Sequence, residues 1–524
     1  MPAADDRDNI TVIEPAPREK WRGATTFFGN EQPYGTTEER DLALNSYCNP
    51  CAPFLVSSAG RYVWSERPFA FSFADGVLTI RSKYGKVEPV QAGTTLREAF
   101  LAASRRHFPP SGRFPDPLFF AKPQFNTWIE SCAVGNSQAF VEGYIDGILR
   151  SGIPCGVFMI DDGWAPRSLY GDLVFNEELF PKPREMLAKA RAAGFRTLLW
   201  TTPYIDRTSR FYGEASKKGL LLRNSVSGEV HRAFYYPGLP ESAILDLFDE
   251  SHWDFLEKRY KDFMADYGFD GYKFDFTDAE CVLRKFVADD PGTPVPEGLE
   301  PADYTGAWGR FATRFPFHEL RAGWKYGGLP LVVRLQDKGH SWEELRLLVP
   351  DMLAAGIQGC PFVCPDMIGG GCGGELFATG KGFNPKLFVR SCQVQAMMPM
   401  MQFSAAPWRL LGEAELAACR DAANLHVALA PRILALARHA AETGEPIVRH
   451  MEYVFPHQGF DECLQQFMLG DDLLVAPVVH PDDHVDVRLP AGRWRDDLGV
   501  VREGPAEFRL NDVPLARIPR FEAV

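Results

Sequence analysis

The chain has 524 residues, of which 45% are hydrophobic and 24% charged, and it carries a net charge of −13. Those proportions belong to a folded globular protein, while the acidic balance and the want of a basic stripe exclude a phosphate-backbone partner. No run approaches the ~18 apolar residues of a membrane span, which excludes a membrane partner of that kind.

The first twenty residues include Asp5, Asp6, Arg7, Asp8 and Glu14 and show no apolar core of a secretory signal. Eleven cysteines, scattered and odd in number, read as reduced thiols of a cytoplasmic protein. Cys48 and Cys51, and the set Cys360, Cys364 and Cys372, lack a second pair at zinc-ribbon spacing and are taken as packing residues.

From Trp21 to about Phe108 short β segments (53–58, 60–64, 69–73 and 77–80) alternate with turn residues. That spacing predicts a β-sandwich. Pro109, Pro110, Pro115 and Pro117 then form a linker. Beyond it the pattern becomes strand then helix, with strands expected at 124–128, 156–164, 195–205, 271–276, 329–335 and 359–364, and helices such as 137–151 and 183–193 between them. Repeated alternation predicts a parallel sheet, and its length favours a closed (β/α)8 TIM barrel, although only six strands are visible. The Pro- and Gly-rich stretch 288–303 reads as an insertion. A long helix is expected over 415–443, stopped by Gly444 and Pro446. β segments at 473–479 and 485–489 follow it. The expected architecture is therefore an N-terminal β-sandwich (1–112), a catalytic barrel (113–443) and a C-terminal β-sandwich (444–524).

Reacting groups of a parallel barrel sit at the C-terminal ends of its strands. In chain order those ends offer Asn126 and Trp128, Asp161-Asp162-Gly163-Trp164, Trp200 with Pro203 and Tyr204, Lys273 and Asp275, Arg334 with Asp337, and Asp366. Aromatic faces stack on sugar C–H surfaces while Asp, Arg and Lys bond hydroxyls, so this ring of residue types suits a sugar pocket. No Walker sequence, His-Glu-x-x-His or dinucleotide fingerprint is present, and no cofactor or metal is expected. Lys273 and Asp275 share a face of one strand. Burial of such a pair costs several kcal/mol unless it is used. Asp275 is the candidate nucleophile, kept ionised by Lys273, and Asp337, in the loop-like 336–340, is the candidate acid/base. Asp278 and Glu280, just past the strand, read as solvated loop or supporting groups.

At this point the sequence resembles glycoside hydrolase family 31. The resemblance runs from Tyr47-Cys48-Asn49-Pro50, through Gly152-Ile153-Pro154-Cys155-Gly156, Phe175 with Phe180-Pro181 and Trp200 with Pro203-Tyr204-Ile205, to the block 468–478. It implies that the lysine-x-aspartate of the fourth strand carries the nucleophile, Asp275, and that the aspartate near Trp342, Asp337, is the acid/base. It further implies that Asp161 holds sugar hydroxyls and that an arginine some fifteen residues before the acid/base, Arg321 in preference to Arg334, touches the sugar. Asp366 before Met367-Ile368-Gly369-Gly370 is similar to a family Asp-x-Gly-Gly block, with a structural role weighed slightly above substrate contact. The late-barrel histidine of members acting on α-glucosides is missing; Gln402-Phe403-Ser404 stands in that region. Asp161-Asp162-Gly163-Trp164 is similar to the paired aspartates of α-galactosidases of families 27 and 36, which grip axial C4 and C6 hydroxyls.

The resulting expectation is a retaining exo-α-glycosidase acting on an oligosaccharide or other glycoside, with α-galactoside preferred over α-glucoside or α-xyloside. Trp128, Trp164, Trp200, Asp161, Asp162, Lys273, Arg321, Arg334 and Asp366 are the candidate substrate-binding residues. A transglycosylase with the same chemistry and a catalytically silent glycan-binding protein are the rivals. A homo-oligomer is compatible with every one of these readings.

Overall fold

The computed structural model describes residues 9–44, 48–166, 169–233, 241–276 and 292–524. Asp278 and Glu280 lie outside the described residues. Eight N-terminal strands come first: β1 (Asn9–Ile13), β2 (Trp21–Thr25), β3 (Thr37–Asp41), β4 (Pro50–Ser57), β5 (Arg61–Trp64), β6 (Ala70–Ala74), β7 (Val77–Ser82) and β8 (Val90–Gln91). One sheet runs β1-β7-β6-β3; the other contains β4, β5 and β8, with β2 on β4. β4 is buried along its whole length. Because alternate side chains of a strand face opposite ways, Cys51 and Leu55 join the core between the sheets, while Ala52, Phe54 and Val56 pack on the helix Leu96–His107. That helix begins with a capping box between Thr95 and Glu98, which satisfies two orphan backbone donors.

The next strands are β9 (Gln124–Asn126), β10 (Val157–Ile160), β11 (Arg196–Thr201), β12 (Tyr204–Asp206), β13 (Ser242–Ile244), β14 (Gly271–Phe274), β15 (His318–Leu320), β16 (Gly323–Trp324), β17 (Val333–Arg334), β18 (Val363–Cys364) and β19 (Gln402–Phe403). Eight of them form one parallel sheet in the order β18-β17-β15-β14-β11-β10-β9-β19. A single parallel bridge between Met367 and Gln402 joins its two ends and brings the barrel near closure. Six strands were legible in the sequence; β15 and β19 complete the eight. The expected strand 195–205 breaks into β11 and β12 around Thr202 and Pro203, and β12 pairs with β13 outside the barrel. The two-residue β16 leaves the barrel to pair with β4, Gly323 beside Pro50 and Trp324 beside Cys51.

Helices separate the strands as the amphipathic pattern predicts. Ser137 caps the helix Gln138–Ser151, which Gly152 ends in a left-handed turn. The long helix runs Glu413–Thr443, with Gly444 as its left-handed stop. After it come β20 (Val448–Arg449), β21 (Phe467–Leu469), β22 (Leu473–Val475), β23 (Val485–Asp496), β24 (Val501–Leu510) and β25 (Arg520–Ala523). They form the expected C-terminal β domain, hydrogen-bonded in the antiparallel order β20-β21-β22-β25-β23-β24. The 12-residue β23 links its two parts: it pairs with β24 along its length and with β25 at its end, and Val485, Val487 and Leu489 share a core with Met468, Leu474 and Phe521. Among the described residues no helix is long and apolar enough to cross a membrane.

Candidate active site

The C-terminal ends of the barrel strands open into a cavity of about 380 Å³. It is lined by nine of the eleven candidate site residues: Trp128, Asp161, Asp162, Trp200, Lys273, Asp275, Arg321, Arg334 and Asp337. Its size is that of an ordinary small-ligand site.

Asp275 follows β14 directly. Its N–H donates to Thr201 O (2.9 Å), which extends the ladder to β11 by one residue and fixes where the carboxylate stands. Oδ2 accepts from Trp200 Nε1 (3.0 Å). Oδ1 accepts from the N–H of Phe276 (2.7 Å) and lies 2.9 Å from Arg321 Nε. Phe276 holds φ at 61°, a conformation costly for a bulky residue, and this turn is what aims its N–H at the carboxylate. Burial opposes ionisation of Asp275, but Arg321, Lys273 and Arg334 together outweigh it and hold the carboxyl far below the usual range. The order of those cations corrects one expectation. Lys273 Nζ sits 2.7 Å from Asp161 Oδ2 and 4.0 Å from Asp275, so Arg321 is the nearest positive charge to Asp275 and Lys273 the second.

Asp161 and Asp162 leave the end of β10. The Asp161 N–H donates to Thr127 Oγ1 and the Asp162 N–H donates back to Asp161 Oδ1, both at 2.9 Å. Asn136 Nδ2 donates to the Asp161 carbonyl (3.0 Å) and to that of Asp162. Tyr170 donates its hydroxyl proton to Asp162 Oδ1. Asp161 is 2% exposed and paired with Lys273, whereas Asp162 is half-buried and lines the cavity.

Asp337 stands across from Asp275. Its Oδ1 accepts from Arg334 Nη1 (2.6 Å), and its Oδ2 lies 3.9 Å from Arg321 Nη1. Arg321 thus reaches both carboxylates from one guanidinium. Burial raises the proton affinity of Asp337, yet Arg334, Arg321 and Lys273 lower it further and the net direction is down. Gly371 leaves room here: a Cβ on it would lie 2.6 Å from Asp337 Oδ1. Its carbonyl also accepts from Trp128 Nε1 (3.1 Å), which holds that ring at the cavity wall.

Two expected substrate contacts are not brought to the cavity. Trp164 donates its indole N–H to Trp200 O (2.8 Å) and stacks on Phe263 with ring centroids 5.1 to 5.5 Å from its aromatic neighbours. Gly163, at φ 101°, turns the chain back so that the ring enters the core. Asp366 is 1% exposed; Oδ1 accepts from Arg334 Nη1 (3.1 Å) and Oδ2 from the N–H groups of Lys338 (2.9 Å) and Gly371 (3.3 Å). Both oxygens are occupied by protein, so Asp366 braces Arg334 and the loop of Asp337. Burial pushes its carboxyl up, Arg334 opposes this, and the Asp337 charge adds to the rise.

Glu319, and the role of Gln402 as its partner, were not apparent from the sequence. Glu319 on β15 is fully buried, 3.9 Å from Arg334 Nε, and accepts from Gln402 Nε2 (2.8 Å) on β19. Both were hidden because each residue sits in a strand of three residues or fewer that has no apolar run. The signal available was a carboxylate two residues before Arg321. Among the described residues no group of histidine, cysteine or carboxylate side chains is arranged to hold a metal.

The family descriptions "Glycosyl hydrolases family 31 TIM-barrel domain" and "Glycosyl hydrolase family 31 C-terminal domain" match residues 119–325 and 444–521. The myogenesis-regulating glycosidase of Mus musculus is 31% identical over 425 residues, covering 78% of this chain and 57% of that protein. α-Glucosidase 2 of Bacillus thermoamyloliquefaciens is 24% identical over 442 residues, covering 78% of this chain and 53% of that protein. The chain thus spans about half the length of these curated relatives. In fold it is similar to a dextranase of Flavobacterium johnsoniae complexed with glucose, with a TM-score of 0.85 at 20% identity, covering 99% of this chain and 67% of that one.

Proposed function

Because the chain belongs to glycosyl hydrolase family 31, we propose that it is a retaining, exo-acting α-glycosidase in which Asp275 is the nucleophile and Asp337 the acid/base. The observation that carries this reading is the pair of carboxylates reached by the single guanidinium of Arg321 at the mouth of one sugar-sized cavity. Asp275, held ionised, attacks the anomeric carbon as Asp337 gives its proton to the departing glycosidic oxygen. The C–O bond to the leaving group breaks and an ester to Asp275 forms. Asp337, now a carboxylate, takes a proton from water; the water oxygen bonds the anomeric carbon and Asp275 is released. Arg321 and Trp200 keep Asp275 charged and aimed, and Arg334, braced by Asp366, holds Asp337 in place.

The finer reading is a terminal α-galactoside. It is supported by this chain's own residues: the adjacent carboxylates Asp161 and Asp162, one tied to Lys273 and the other braced by Tyr170, both at the cavity wall, with Gln402-Phe403-Ser404 in the region where α-glucoside-acting members carry a histidine. The relatives' names run against it, since one is an α-glucosidase and the structural neighbour a dextranase. A panel of 4-nitrophenyl α-glycosides decides. Galactoside turnover above that of glucoside and xyloside, and its selective loss in Asp162→Asn, is the expected result; a glucoside or xyloside preference overturns the galactoside assignment and leaves the two-carboxylate mechanism standing.

A further inference from the structure

Asn49 belongs to the N-terminal domain, yet it is completely buried against the loop that carries Asp337. Its Oδ1 accepts from the backbone N–H of Gln336 (2.9 Å), and its Nδ2 donates to the side-chain oxygen of Gln336. One amide side chain therefore grips the residue immediately before Asp337 by both its backbone and its side chain. The backbone of Asn49 serves the other side of the site: its carbonyl accepts from the N–H of Gly323 (3.3 Å). That bond starts the short β4–β16 ladder, which continues with Lys325 N–H donating to Cys51 O (3.0 Å). Gly323 lies two residues after Arg321. A single residue from outside the barrel thus fixes the chain on both sides of the Asp337–Arg321 contact.

The barrel alone leaves this edge weakly held. β15 and β17 are three and two residues long and share one registered pair, Leu320 with Val333. With so little ladder beneath them, the loops after these strands depend on outside contacts for their position. Lys338, on the far side of Asp337, is anchored by Asp351 (2.9 Å) of the helix Trp342–Ile357 and by Asp366. Asn49 supplies the matching anchor at Gln336.

We infer that Asn49 is a positioning residue for the acid/base: through Gln336 and Gly323 it sets where Asp337 stands relative to Arg321 and to the glycosidic oxygen. This rests on the reading of Asp337 as the acid/base. Displacement of a reacting group by about an ångström costs up to about 100-fold in rate. The loss falls on the step that needs a proton, and a leaving group that departs without one escapes it.

The test is kcat/KM of Asn49→Ala on two substrates with the same sugar, a 2,4-dinitrophenyl α-glycoside and a methyl α-glycoside. We expect a loss of about tenfold or more on the methyl glycoside and less than about threefold on the dinitrophenyl one, with Gln336→Ala showing the same pattern to a smaller degree. Gln336→Ala leaves the β4–β16 ladder in place and provides the measurement if Asn49→Ala does not fold. Equal losses on both substrates, or none on either, overturn the inference. Asp337→Ala run beside them separates the two ideas: if it shows no leaving-group dependence, the acid/base assignment fails, whereas dependence in Asp337→Ala without dependence in the Asn49 and Gln336 variants refutes only the role of Asn49.

Discussion

On the β10–β14 side of the cavity each carboxylate has a cation in close contact, Lys273 at 2.7 Å from Asp161 and Arg321 at 2.9 Å from Asp275; on the β17–β18 side Asp337 and Asp366 share Nη1 of Arg334, with Arg321 3.9 Å from Asp337. A carboxylate with its own partner, further bonded by Trp200 and the Phe276 N–H, stays charged across the working pH range. Two carboxyls on one guanidinium each raise the other's proton affinity, so Asp366 is pushed up, while Asp337 stays lowered overall by Arg334 and Arg321 but less than Arg334 would bring it without a second anion. The first arrangement suits a nucleophile and the second a proton donor. Similar residue types thus come to differ through the ratio of anions to cations around them.

Substitutions that strip one side at a time sharpen the contrast. The largest effect belongs to Asp275→Ala, which removes the attacking group. Turnover of any α-glycoside should fall by at least about 10⁴-fold, while far-UV circular dichroism stays unchanged; substantial residual turnover would show that the nucleophile lies elsewhere. Arg334→Met comes next. It leaves Asp337, Asp366 and Glu319 buried around a missing charge, and a cost of about 3–5 kcal/mol is expected in urea unfolding. Wild-type stability in that variant would mean that waters or Lys338 replace the guanidinium.

Asp366→Asn is the mildest. The amide still accepts from Arg334 but carries no charge, so Arg334 acts on Asp337 with one competing anion fewer. Its proton affinity drops, and the alkaline limb of the kcat/KM profile should move to lower pH by about one unit. The acid limb, set by Asp275 with its depressed proton affinity, should stay in place. A shift of the acid limb would reverse the assignment of the two sides.

The same two sides differ in how far they could be read from sequence. On β14 the lysine and aspartate interrupt an apolar run, and on β10 the two aspartates follow four buried apolar residues, so strand, strand end and charge all stand out. β15 reads His-Glu-Leu and β19 Gln-Phe, too short and too polar to show a period. Arg321 was accordingly reached through its distance from Asp337 and not through the strand that places it. Trp164 and Asp366 show the opposite error. An aromatic or a carboxylate after a barrel strand has the same sequence signature whether it faces the cavity or the interior, and only the turn at Gly163 and the lone cation at Arg334 decide. The β4–β16 pairing, between segments more than 270 residues apart, has no local signature at all.

Gly371 carries no functional group, and its carbonyl faces Trp128 while its Cα faces Asp337. A side chain there would nevertheless crowd the Asp337 carboxylate and the Met367 methyl group. Even alanine would bring a methyl group against the Asp337 oxygen that Arg334 holds, so an effect of substitution at this position reports the space a neighbouring reaction needs and says nothing of chemistry at the residue itself.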